Sequence, residues 1–171
     1  MKKLLAAALL CSAALTPVLA QSNRYYGAID YGTLYMSGPW SSPDALTVSG
    51  GYKFAPNLAA EAGLTMIGNA TTNAVGGGGV SVNQYIVSAV AVGILPMNSN
   101  FNLFGKAGLG LHNGDVNGLP DDLILGFGGQ FMLTSQIGLR LQYESLGRTR
   151  VPQTTRWSEL SRLSFGATYN F

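Results

Sequence analysis

The sequence predicts an all-β fold, an eight-stranded antiparallel up-and-down transmembrane β-barrel, and three observations lead there. Apolar residues alternate with polar or small ones through most of the chain. No apolar run outside the N-terminus reaches the roughly 20 residues that a spanning helix needs. The connections between alternating segments are short and long in turn. In hydrocarbon every backbone polar group must be paired within the structure, so helices and closed barrels are the two spanning forms. Of 171 residues only 11% are charged, 23 are glycine, and the mean hydropathy is +0.21. That balance is unusual for a soluble domain.

The first 20 residues read as a secretory signal peptide. Lys2 and Lys3 form a basic start, Leu4 to Leu15 an apolar run, and Val18-Leu19-Ala20 a small-residue cleavage site before Gln21. Cys11 lies inside this segment, preceded by Leu10, which argues against a lipoprotein and leaves the mature chain without a disulfide. The mature part, 21–171, fits one domain, the transmembrane barrel. Setting Lys2 and Lys3 aside leaves eight basic against eight acidic residues, so there is no basic footprint for nucleic acid.

Strand one sets Tyr25, Ile29, Tyr31 and Tyr35 against Ala28, Asp30 and Gly32. Strand two sets Leu46, Val48, Tyr52 and Phe54 against Thr47, Ser49, Gly51 and Lys53. In strand three, Leu58, Ala60, Ala62, Leu64 and Met66 oppose Glu61, Gly63 and Thr65. Strand four, Val82 to Leu95, is apolar on both faces and its parity is undecided. Strand five alternates Phe101, Leu103, Ala107, Leu109 and Leu111 with Asn102, Lys106, Gly108, Gly110 and His112. Strand six alternates Leu123, Leu125, Phe127, Phe131 and Leu133 with Gly126, Gly128, Gln130 and Met132. Strand seven opposes Ile137, Leu139, Leu141 and Tyr143 to Gly138, Arg140, Gln142 and Glu144; strand eight does the same from Arg162 to Phe171. Ala55 to Asn57, Pro96 to Asn100 and Thr134 to Gln136 are tight turns. Gly38 to Asp44, Gly68 to Ser81, His112 to Asp121 and Gly147 to Ser158 are longer loops. Short periplasmic turns and longer outer loops are usual in bacterial barrels, which puts both termini in the periplasm. Aromatic girdles are expected at the two rims: Tyr25, Phe54, Phe101, Tyr169 and Phe171 at one, Tyr35, Trp40, Tyr143 and Trp157 at the other.

Over nearly all its mature length the chain resembles the membrane barrel of OmpA-like outer-membrane proteins. Three stretches carry the likeness. Ser164-Phe-Gly-Ala-Thr-Tyr-Asn-Phe171 resembles their C-terminal assembly signal, with Ser164, Gly166, Tyr169 and Phe171 at its marker positions. Gly50 to Gly63 is similar to their second hairpin leading into luminal Glu61, and Gln130 to Tyr143 to their last turn with luminal Arg140. Gln130 stands where the family pattern has a glutamate, and the family's strand-four lysine falls near Val92, so its gating exchange of ion pairs does not transfer intact. No peptidoglycan-binding domain like that of full-length members is expected after Phe171, and tethering to the cell wall is not implied. The resemblance implies a porin-family member in the Gram-negative outer membrane, a monomer among outer-membrane lipids and lipopolysaccharide. It also implies transient handling by periplasmic chaperones and the barrel assembly machinery.

Parity puts Asp30, Lys53, Glu61, Lys106, Arg140, Glu144 and Arg162 in the lumen. An eight-stranded barrel is filled by its own side chains, and charges there must pair. Glu61, Lys106, Arg140 and Glu144 are expected to form the network, either as a plain polar core or as a switchable gate. Gly108, Gly110, Gly126 and Gly128 on the same face leave room for larger side chains. Outside, Asp115, Asp121 and Asp122 mark the third loop and Arg148, Arg150 and Arg156 the fourth. Arginine suits phosphate, so the fourth loop is a candidate lipopolysaccharide contact, with plain solvated charge or loop-to-loop salt bridges as the other reading. His112 is the one histidine and no serine follows two residues on, so no nucleophile is placed by spacing. One histidine and no mature cysteine do not make a metal site, and no cofactor is expected. Gly76 to Gly79 lies in no strand-to-helix unit and reads as loop, not phosphate cradle. The function read from these residues is structural or surface-interaction. The alternatives are a small porin-like diffusion channel and a lipid A-modifying barrel enzyme.

Overall fold

The structure, a computed structural model, describes residues 24–36, 42–68, 84–112, 122–150 and 157–171. The segment read as a signal peptide, the Gly76 to Gly79 run, Trp40, Asp115, Asp121 and Arg156 lie outside the described residues, as do the side chains of His112, Arg148, Arg150 and Trp157.

Eight strands follow one another: β1 (Tyr25–Met36), β2 (Asp44–Ala55), β3 (Leu58–Ile67), β4 (Gln84–Pro96), β5 (Phe101–His112), β6 (Asp122–Met132), β7 (Ile137–Arg150) and β8 (Trp157–Asn170). Each pairs antiparallel with the next and β8 returns to β1, closing the barrel. Closure leaves no unpaired edge along the wall. The seam runs from Tyr26 opposite Asn170 to Met36 opposite Leu160, and the Phe171 amide extends it by donating to the Tyr25 carbonyl at 3.0 Å. No helix among the described residues is long and apolar enough to cross a membrane.

Alternation becomes orientation. Ile29 is 49% exposed, Phe127 66% and Phe165 56%, whereas Asp30 and Arg162 are 0% and 2% exposed. Apolar side chains outside and charges inside invert the arrangement of a soluble protein, and such a wall is stable facing lipid. Strand four, undecided by pattern, turns Tyr85, Val87 and Leu95 outward and Ile86, Val90 and Val92 inward. Both of its faces are apolar because its inner face packs with Phe104 in the luminal apolar cluster.

The β4–β5 and β6–β7 turns close by side-chain capping. Asn98 Oδ1 accepts from the amides of Asn100 at 2.9 Å and Phe101 at 2.7 Å. Thr134 Oγ1 accepts from the Ile137 amide at 2.9 Å. Both side chains replace backbone acceptors within the turn. At the rim beside these turns Tyr25 packs on Tyr52 at 4.9 Å and Tyr169 edge-on to Phe171 at 5.1 Å between ring centroids.

The fourth loop is shorter than its polar composition predicts. Beyond a register shift between Ser145 and Arg148, β7 continues to Arg150 against Trp157 on β8, so Arg148 and Arg150 are strand residues. Gly147 makes the shift with φ of 85°, a left-handed conformation that glycine adopts freely. Asp122, expected in the third loop, begins β6 opposite Gly110, and its side chain fills the space a Gly147 Cβ would take. Cross-strand pairing here overrides the local preference of polar residues for loop.

Candidate functional site

The lumen holds one continuous chain of ion pairs. Arg140 on β7 grips Asp30 on β1 with two nitrogens, Nε to Oδ1 at 2.6 Å and Nη2 to Oδ2. Its Nη1 donates to Glu61 Oε2 on β3 at 3.1 Å, and its Nη2 to Ser49 Oγ at 3.2 Å. Lys106 on β5 reaches Glu61 Oε1 at 2.7 Å and Glu144 Oε1 at 3.4 Å. Glu144 also pairs with Arg162 on β8, whose Nη1 donates to Thr47. The order Asp30, Arg140, Glu61, Lys106, Glu144, Arg162 alternates in sign and sums to zero. Such compensation is what buried charge requires.

Glycines make these reaches possible. Gly166 on β8 lies in register between Asp30 on β1 and Arg140 on β7, and a Cβ there would run into the Asp30 carboxylate. Gly126 on β6 lies in the same way between Lys106 and Glu144, where a Cβ would come within 2.8 Å of Glu144 Cγ. The intervening strand contributes no side chain, and the flanking ones meet across it.

Of the seven charges that parity put in the lumen, the structure brings together Glu61, Lys106, Arg140 and Glu144 with Asp30 and Arg162. Lys53 is the exception. It faces inward but sits near the turn end of β2, half-buried, and donates to Asn170 Oδ1 at 2.8 Å, apart from the network. The position near Val92 stays apolar; Val92 faces Lys106 across the β4–β5 ladder, so the lysine comes from β5. Gln130, where the resemblance has a glutamate, donates to Thr168 at 2.8 Å.

Two groups escaped the sequence reading. Tyr26 shares the parity of Ala28 and Asp30, and its hydroxyl donates to Glu61 Oε2 at 2.9 Å. Its ring fills the space above Gly51. The second is a set of buried apolar residues, among them Leu34, Ile67, Ile86, Ile124, Leu146 and Leu160, gathered in one luminal cluster. Parity marks each as inward, but an apolar residue on a nominally polar face carries no signal of its own. Between this cluster and the ion pairs lies a cavity of about 10 Å³, lined by Ile86, Ile124, Leu146, Gln142, Glu144 and Arg162 among others. Its volume is about that of a single water.

Ser164, Gly166, Tyr169 and Phe171 all lie on the last strand or just after it. Ser164 and Gly166 point inward, Tyr169 outward into the rim with Phe171.

Residues 4–171 match the family model for the outer membrane protein beta-barrel domain, and the chain belongs to that family. Membership places it in the outer membrane. Similar solved structures include Neisserial surface protein A, 18% identical with a TM-score of 0.62, covering 88% of this chain and 98% of that one. The attachment invasion locus protein Ail of Yersinia pestis is 16% identical at a TM-score of 0.55, covering 86% and 98%. The N-terminal barrel of OprF from Pseudomonas aeruginosa is 12% identical at 0.56, covering 85% and 97%. At these identities the likeness is one of fold. No curated protein matches the sequence.

Proposed function

We propose that the protein is a structural or surface-interaction barrel of the outer membrane whose lumen carries no free flow. The observation behind this reading is the ion-pair chain, which braces β1, β3, β5, β7 and β8 across the interior with side chains that are nearly all inaccessible. A filled interior favours a wall over a pore. In this reading the turns and both termini face the periplasm, the longer connections face outward, and the protein is a monomer that the assembly machinery receives through Ser164, Gly166, Tyr169 and Phe171. Planar-bilayer recording tests it: negligible wild-type conductance is expected, and a steady open level would favour the diffusion-channel reading instead.

On the outer side, Arg148, Arg150 and Arg156 are proposed to contact lipopolysaccharide phosphates through their planar, multiply donating guanidinium groups. A protein of this fold, Ail, has been solved with the heparin analogue sucrose octasulfate, which gives the reading a precedent. Replacing all three arginines by glutamine should weaken lipopolysaccharide binding by the refolded protein. Unchanged binding would refute the contact.

A further inference from the structure

The interior changes character toward the end of the barrel that bears the longer connections. Leu34 on β1, Ile67 on β3, Ile86 on β4, Ile124 on β6, Leu146 on β7 and Leu160 on β8 all lie in that part of their strands. Each is at least nine-tenths buried, and all belong to one apolar cluster, which also runs along β4 to Val92 and Phe104 toward the turn end. They come from six strands and converge. A Cβ added at Gly110 would stand 2.9 Å from Ile124 Cδ1 and 3.4 Å from Ile86 Cγ2, so both isoleucines reach over that glycine from neighbouring strands. Ile86, Ile124 and Leu146 bound the small cavity together with Glu144 and Arg162, so the apolar layer lies directly against the ion pairs.

The two layers oppose an ion by different physics. The ion-pair chain can change partners: Lys106 already touches both Glu61 and Glu144. A permeating ion would also find charged and polar groups there to replace its water. The apolar layer offers an ion nothing in exchange for its hydration shell, and constrictions of this kind exclude ions by staying dry. We infer that this layer is a second barrier in series with the ion-pair chain, and that it keeps the lumen closed to ions when the chain is broken. The inference rests on the reading of a non-conducting barrel and goes beyond it in placing the decisive seal at the apolar layer.

Three proteins test it, each refolded in detergent and checked for folding by unboiled gel migration: wild type, Arg140→Ala, and Arg140→Ala combined with Ile86→Ser and Ile124→Ser. Planar-bilayer conductance in potassium chloride is the readout. Arg140→Ala is expected to stay near the wild-type level, and the triple variant to rise about tenfold or more as the constriction wets. If Arg140→Ala alone reached the level of the triple variant, or if the triple variant stayed at the wild-type level, the inference would be overturned. Should either protein fail to fold, Lys106→Met serves as the broken chain and threonine replaces both isoleucines, keeping β-branching in the strands, with the same comparison and outcomes. A wild-type protein that itself conducts would refute the non-conducting reading, whereas a silent wild type with an open Arg140→Ala refutes the seal alone.

Discussion

Arg140 is the side chain on which the interior turns, because among the described residues it alone joins Asp30 to Glu61. Removing it would leave two carboxylates buried beside each other with one cation fewer. Arg140→Ala is therefore expected to cost about 3–5 kcal/mol, the usual penalty for orphaning a buried charge, read as a lower urea midpoint for unfolding from lipid vesicles. Arg140→Lys should recover only part of the loss, since an ammonium cannot grip Asp30 with two nitrogens while reaching Glu61. The glycine beside this pair makes a sharper comparison. Gly166→Ala would push a methyl group into the Asp30 carboxylate and the Ile29 carbonyl, and overpacking of this kind costs roughly 1–3 kcal/mol. Nothing lies within 4 Å of a Cβ at Gly93, on the outer face of β4. Gly93→Ala should leave the same urea midpoint nearly unchanged, and equal losses at the two sites would contradict the arrangement.

At the scale of the element, pattern alone left the orientation of β4 open and assigned part of the β7–β8 hairpin to a loop. The outward set of β4 includes Ala91, opposite Ala60 on β3 and Ala107 on β5. A charge on the lipid face near the bilayer midplane costs about 2–4 kcal/mol. Ala91→Arg should thus lower folding stability in vesicles by that order, and a neutral effect would mean that this face does not meet hydrocarbon. The β7–β8 extension has a different cause. After Gly147 the two strands resume pairing, Arg148 with Glu159 and Arg150 with Trp157. Backbone hydrogen bonding there recruits residues that their polarity assigns to a loop.

For the whole molecule, closure is the property from which the others derive. The β1–β8 seam joins the first strand to the last, so the barrel cannot form until Phe165, Ala167 and Tyr169 have reached Tyr31, Ile29 and Gly27. Contacts so distant in sequence form slowly and, once made, open together. The folded protein is expected to migrate faster than its boiled form on a gel run in detergent, the compact barrel surviving until heat breaks the seam. Identical migration with and without boiling would show that no closed barrel persists.

The chain's own alternation settled the barrel, the number of strands and the inward set of charges, because a period of two assigns faces without reference to any partner. Thus Asp30, Glu61 and Arg140 could be placed inside by counting. Counting could not say that Lys53 stands apart while Asp30 and Arg162 join the network, since that depends on tilt and on which strands lie across the interior. Nor could it orient β4, whose two faces are equally apolar, or find the layer of Leu34, Ile86 and Ile124, whose residues look the same whether they face lipid or lumen. Those choices belong to the closed barrel, where side chains far apart in sequence compete for one narrow interior.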